Sequence, residues 1–210
     1  MDSTPSPSDP RPPRPPKLSA REQRRSRRNL ERRKSNLIWV LLGGGALAFF
    51  GFLLSTAIRP QAGEDIPLLP NTPHIPFPTP PGPYNTNPPT SGLHYAQSAP
   101  AGFYDDARAA SLGQFPEGYL VHSLEHDYNI FWYNCSVLDE AACAELKVQI
   151  QAVMSGFDGF KLIAYPWPSQ AEPVVLTHWG RILRMREFDA GAARNFIESN
   201  RRRSPEPDAP

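Results

Sequence analysis

The strongest constraint on this chain is the run from Leu37 to Ile58, LIWVLLGGGALAFFGFLLSTAI, which contains no charged residue. At 1.5 Å per residue its twenty-two positions span about 33 Å as a helix, close to the thickness of a bilayer's hydrocarbon core. A helix that is apolar on every side and flanked by arginines suits lipid better than a protein interior. The basic stretch before it, REQRRSRRNLERRKS, is expected to stay in the cytoplasm, which places everything after Arg59 outside the cell membrane. Residues 1–36 hold eleven Lys/Arg against four Asp/Glu, leaving eleven against seventeen in the rest, so the net charge of +1 hides a segregation. The basic flank suits anionic lipid headgroups. The acidic remainder argues against nucleic acid as a partner. Two further readings stay open. Ser55-Thr56-Ala57 would pass as a cleavage site, although a signal h-region is usually only about 7–15 residues long. SRRNL resembles a twin-arginine export signal, a cheap match in a segment this rich in arginine.

Composition divides the remainder. Residues 1–36 form a basic cytoplasmic tail expected to be disordered, at least over its proline-rich first twenty residues. Residues 37–58 form the membrane span, and residues 59–83, with IPLLPNTPHIPFPTPPGP, read as a semi-rigid proline-rich stalk. An exported domain follows over 84–203, then a short disordered tail over 204–210.

Within the domain, residues 119–124 and 128–133 are rich in β formers, and NIFWY carries the stronger strand signal. Asp139 is a plausible N-cap for a helix to about residue 155, with Leu146, Ile150, Val153 and Phe157 on one face and Gly156 ending it. FKLIAY (160–165) and PVVLTHW (173–179) read as strands, and Gly180 turns the chain into ILRMREF (182–188), making a hairpin. Asp189 caps a last helix with Phe196 and Ile197 inward. The expected fold is α+β: one sheet with a C-terminal β-hairpin, covered by two helices. The same order of elements occurs in thioredoxin-like folds, but no CxxC is present, so that alternative is one of topology alone. Cys135 and Cys143, the only cysteines, both fall in the exported part, where either a disulfide or two unpaired thiols would fit.

The chemistry-bearing residues are the histidines. His94 follows the turn NPPTSG, and His122 and His126 flank Ser123-Leu124-Glu125. Neutral imidazoles around an open position suit copper or zinc. In a straight strand His122 and His126 would lie about 13 Å apart and could not share an ion. A bend or helical turn at 122–126 would bring them to about 6 Å, and that bend is the expectation. His74, in the stalk, could fold back as a fourth ligand. Glu125 could orient an imidazole, act as a base, or face solvent or Arg181. His178 reads as structural. No phosphate loop, nucleophile elbow or HExxH motif occurs, so no catalytic residue is assigned.

YNTNPPTSGLHY, GFYDD, LVHSLEHDYNIFWY and LTHWGRILRMREFD together resemble a bacterial family known as domain of unknown function 3105. The resemblance implies a short membrane-anchored protein with one exported domain, and carries the histidines onto His94, His122 and His126, with His74 beside them. It assigns no activity. The family pattern has Gly where this chain has Asp127, a residue that also tolerates left-handed backbone. Three function classes remain. The chain could be an extracytoplasmic metal-binding protein. It could be a non-catalytic module for an envelope protein partner, with Tyr84, Tyr95, Tyr104 and Trp132 as its surface. It could be a hydrolase using Glu125 and a histidine, the weakest of the three because no nucleophile or paired carboxylates accompany the imidazoles.

Overall fold

A computed structural model describes residues 41–51, 62–71 and 74–210. Residues 41–51 are helical, with Leu41, Leu42, Leu47, Phe49 and Phe50 exposed. No helix among the described residues is long and apolar enough to cross a membrane. Half of the expected span at 37–58 (residues 37–40 and 52–58), and all of the tail at 1–36, lie outside the described residues. A separate compact unit runs from Arg59 to Pro210.

That unit is a mixed α and β fold built on one six-stranded sheet. Its elements are β1 (Glu64–Asp65), β2 (Gly102–Phe103), α1 (Asp106–Ala110), α2 (Glu117–Glu125), β3 (Asn129–Tyr133), α3 (Glu140–Ser155), β4 (Leu162–Pro166), β5 (Val174–His178), β6 (Arg181–Met185) and α4 (Ala190–Asn200). The strand order is β1-β6-β5-β3-β4-β2. β3 runs parallel to β4 and antiparallel to β5, and β5 and β6 form the expected hairpin across Trp179-Gly180. Gly180, at φ +67, occupies the left-handed region that the turn requires.

Strand alternation sends Ile130, Trp132, Ile163, Tyr165 and Val175 to one face, with Leu120, Val121 and Leu124 of α2. Phe131, Tyr133, Leu162, Ala164, Val174 and Leu176 face the other way, against Leu146, Ile150 and Val153 of α3 and Phe196 and Ile197 of α4. Burial on both faces explains why NIFWY and VVLTH are apolar without alternation. Asp139 and Asp189 cap α3 and α4 as their sequence positions suggest: Asp139 accepts the Ala142 N–H at 2.8 Å, and Asp189 those of Gly191 and Ala192 at 2.8 and 3.0 Å. Cys135 and Cys143 are joined in a disulfide, with their Cα atoms 5.3 Å apart.

Two expectations are corrected. Residues 119–124 are not β structure; they belong to helix α2. Leu120, Val121 and Leu124 recur at helical spacing and all point into the core, so tertiary burial outweighs the β preference of Val121 and the aromatic ring beside it. Of the four aromatics expected to form an interaction surface, Tyr95, Tyr104 and Trp132 are buried, and Tyr84 is partly buried against the core. Trp132 donates to Thr177 Oγ1 at 2.7 Å, and the Tyr104 hydroxyl donates to the Pro100 carbonyl at 2.7 Å.

The proline-rich segment and the last seven residues both contact this body. β1 pairs with β6, the Ile66 N–H donates to the Gly180 carbonyl at 2.9 Å, and the Leu69 N–H to Ser91 Oγ at 3.0 Å. Near the other terminus, the Glu206 N–H donates to the Glu125 carbonyl at 3.0 Å.

Candidate metal centre

Helix α2 ends at Glu125, one turn after His122, and this settles how VHSLEHD is used. The helical period puts His122, Glu125 and His126 on one face and Leu120 and Leu124 on the opposite one. Gly118 allows the close approach of Tyr95, since a Cβ there would lie 2.4 Å from that ring. Asp127, at φ +71, takes the left-handed position after the helix, so the chain turns into β3 despite lacking glycine. The expected bend at 122–126 is thus the end of a helix.

His94 arrives from the other side. Thr90 and Ser91 are fully buried, and the Thr90 carbonyl accepts the Gly180 N–H at 3.0 Å, pinning the PPTSG turn to the hairpin. Gly92, at φ +126, is forced: a Cβ would meet the Tyr84 ring at 3.1 Å. His74 comes from the proline-rich segment, where the neighbouring Ile75 N–H donates to the His94 carbonyl at 2.9 Å.

The three imidazoles form a near-equilateral triangle. Ring centroids lie 4.8 Å apart for His74–His94, 5.0 Å for His74–His122 and 5.1 Å for His94–His122. One carboxylate oxygen faces all three: Glu125 Oε2 is 2.9 Å from His94 Nε2, 3.6 Å from His74 Nε2 and 4.0 Å from His122 Nδ1. The four ligand atoms lie within 4.8 Å of one another. His94, His122 and Glu125 are buried, whereas the His74 side chain is 40% exposed and forms the open side. Glu125 Oε1 accepts a hydrogen bond from Asn71 Nδ2, which fixes the carboxylate plane.

The close contact between His94 and Glu125 calls for either a proton or a metal cation between its two facing atoms. His94 Nδ1 lies 2.8 Å from the Gly92 carbonyl oxygen, which can only accept, so Nδ1 is the donor. In the neutral ring Nε2 then carries a lone pair, aimed at a carboxylate oxygen 2.9 Å away. His122 Nδ1 is buried and has no hydrogen-bond partner among the described residues. Burial, reinforced by the imidazoles of His126, His94 and His74 and opposed by Glu125, pushes the His122 pKa down to about 4. At neutral pH that ring is uncharged and its lone pair is available.

Of the residues expected as ligands, the structure brings His74, His94 and His122 together. His126 stands beside His122, with ring centroids 4.3 Å apart, but its nitrogens turn elsewhere. Nδ1 is 3.0 Å from the Pro210 carbonyl oxygen and Nε2 is 3.3 Å from a Glu206 carboxylate oxygen. Glu125 takes the fourth place, and the expectation that it faces solvent is overturned by its burial. The signal for Glu125 is its spacing of three from His122, informative only once the segment is read as a helix. Asn71 and the Gly92 carbonyl, which orient the ligands, carry no sequence signal of their own. His178 is fully buried and pairs with Asp127 at 3.1 Å.

Fold and cluster together define an α+β domain holding three imidazoles and one carboxylate at the end of its sheet. The chain belongs to the family described as protein of unknown function DUF3105, whose match covers residues 80–210. His94, His122 and Glu125 lie inside the matched residues, and His74 lies before them. No curated protein and no solved structure matches the chain.

Proposed function

We propose that this protein binds a divalent transition metal, zinc or copper, through His74, His94, His122 and Glu125, in a domain held outside the cell membrane by a single N-terminal span. The observation that carries the reading is the contact of His94 Nε2 with Glu125 Oε2 at 2.9 Å while Nδ1 is committed to Gly92. A proton between the two atoms would satisfy that pair alone. An ion would satisfy it together with His122 Nδ1 and His74. Ligands at ~2.1 Å around a tetrahedral ion sit about 3.4 Å apart, and contacts of 2.9, 3.6 and 4.0 Å bracket that spacing. The Gly92 carbonyl and Asn71 then serve as the outer partners that fix ligand orientation. Three nitrogens with a carboxylate and no thiolate suit Zn(II) or Cu(II). Glu125 as a hydrolytic base is the weaker reading, because both of its oxygens already face named partners.

Membrane anchoring is supported by the uncharged run 37–58 and its basic flank, and export by the disulfide, which persists in oxidising compartments. The order β6-β5-β3-β4 and the strand directions support the thioredoxin-like alternative as topology only. Residues 167–173, between β4 and β5, contain no helix, and the two cysteines are eight positions apart.

The test is calorimetric titration of the full chain in detergent with zinc and with copper. One equivalent should bind at micromolar concentration or below, and His94→Ala and His122→Ala should each weaken binding at least 100-fold. Absence of binding by the wild-type chain would refute the reading.

A further inference from the structure

Residues 204–210 contain no buried residue, yet their contacts concentrate on the chain around Glu125. The Glu206 N–H bonds to the Glu125 carbonyl at 3.0 Å. Just before the segment and at its start, the Asp127 carboxylate accepts the N–H groups of Arg202, Arg203 and Ser204 at 2.8, 3.1 and 3.4 Å. Lys161 Nζ donates to the carbonyls of Pro207 and Ala209 at 2.9 and 2.6 Å. Both nitrogens of His126 face this segment, through Pro210 and Glu206.

We propose that His126 is a reserve metal ligand withheld by residues 204–210, so that docking of this segment sets the donor set of the metal centre. The proposal rests on the metal-binding reading above. The His126 ring already lies closer to His122, at 4.3 Å between centroids, than the three cluster rings lie to one another at 4.8 to 5.1 Å. It sits one helical turn from a ligand, on the same face of α2, and what turns its nitrogens away is a polar segment. A segment without apolar burial belongs to the low-stability end of a fold and detaches without unfolding the core. With the segment docked, an ion has three imidazoles and one carboxylate. With it released, a fourth imidazole is free at the edge of the cluster, and the ion changes ligands without any change in the sheet or in α2.

Electron paramagnetic resonance of the Cu(II)-loaded full chain counts the coordinated nitrogens. The intact chain should show three, and His126→Ala in the intact chain should leave that number unchanged. A chain ending at Arg203 should show four, and adding His126→Ala to it should restore three. Glu206→Ala removes one of the two partners of His126 in an otherwise intact chain and should give a mixture of the two signals. Three nitrogens in both the chain ending at Arg203 and Glu206→Ala would overturn the proposal while leaving the metal centre standing. An intact chain that binds no copper or zinc would overturn both.

Discussion

At the scale of single residues, the site depends on side chains that orient other side chains. Asn71 donates to the Glu125 carboxylate, so Asn71→Ala should weaken zinc binding by about 10–100-fold, the usual cost of losing such a partner. Competition with a chromophoric chelator would measure it, and unchanged affinity would remove Asn71 from the account. His122 gives a second expectation. Its folded pKa of about 4 lies below the ordinary value of 6.5, so between these pH values the unfolded chain binds a proton that the folded chain refuses. The metal-free protein should therefore lose stability as pH falls from about 6.5 to about 4, with no contribution from this group above that window. Thermal unfolding in a chelator across the range tests this. A melting temperature flat to pH 4 would show that His122 is not held neutral by its surroundings.

At the scale of elements, α2 is both a core helix and the carrier of two ligands. Leu124 is fully buried between them on the opposite face. Leu124→Ala should cost about 2–5 kcal/mol of stability and weaken metal binding as well, since the helix that positions His122 and Glu125 is loosened. Denaturant unfolding and zinc titration of the same variant would check both, and lost stability with full affinity would separate the helix packing from the site. This helix is also where the sequence was hardest to read. The caps at Asp139 and Asp189, the strand NIFWY and the turn at Gly180 are local signals, and they are legible because residues within one turn decide them. The state of 119–124 is decided by what lies across the sheet, which no local pattern contains. Reading it as β structure separated Glu125 from His122, and the bend expected at 122–126 put His126 in the place that the carboxylate fills. Helical spacing alone places both Glu125 and His126 near His122. Only the contacts of Pro210 and Glu206, eighty or more positions away, decide between them.

At the scale of the whole molecule, the unit from Arg59 to Pro210 is closed by contacts from both of its ends. The proline-rich segment supplies His74 and Asn71, and the last residues hold His126. The disulfide spans only eight positions, so its reduction should cost roughly 2–3 kcal/mol. Thiol labelling of the denatured, unreduced protein should find no free cysteine, and two reactive thiols would contradict both the bond and the expectation of an oxidising compartment. If the run at 37–58 anchors the chain, protease added to spheroplasts should digest the folded unit and spare the basic N-terminal tail. Protection of the folded unit would place it on the cytoplasmic side.

The most direct measurement of the central claim is an anomalous difference map at the zinc edge, from crystals of the protein prepared with zinc. The account predicts one strong peak bounded by His94 Nε2, Glu125 Oε2, His122 Nδ1 and His74, at ~2.0–2.2 Å from each. A zinc-exposed protein with no peak there, and with His94 Nε2 still bonded to the carboxylate through a proton, would contradict it.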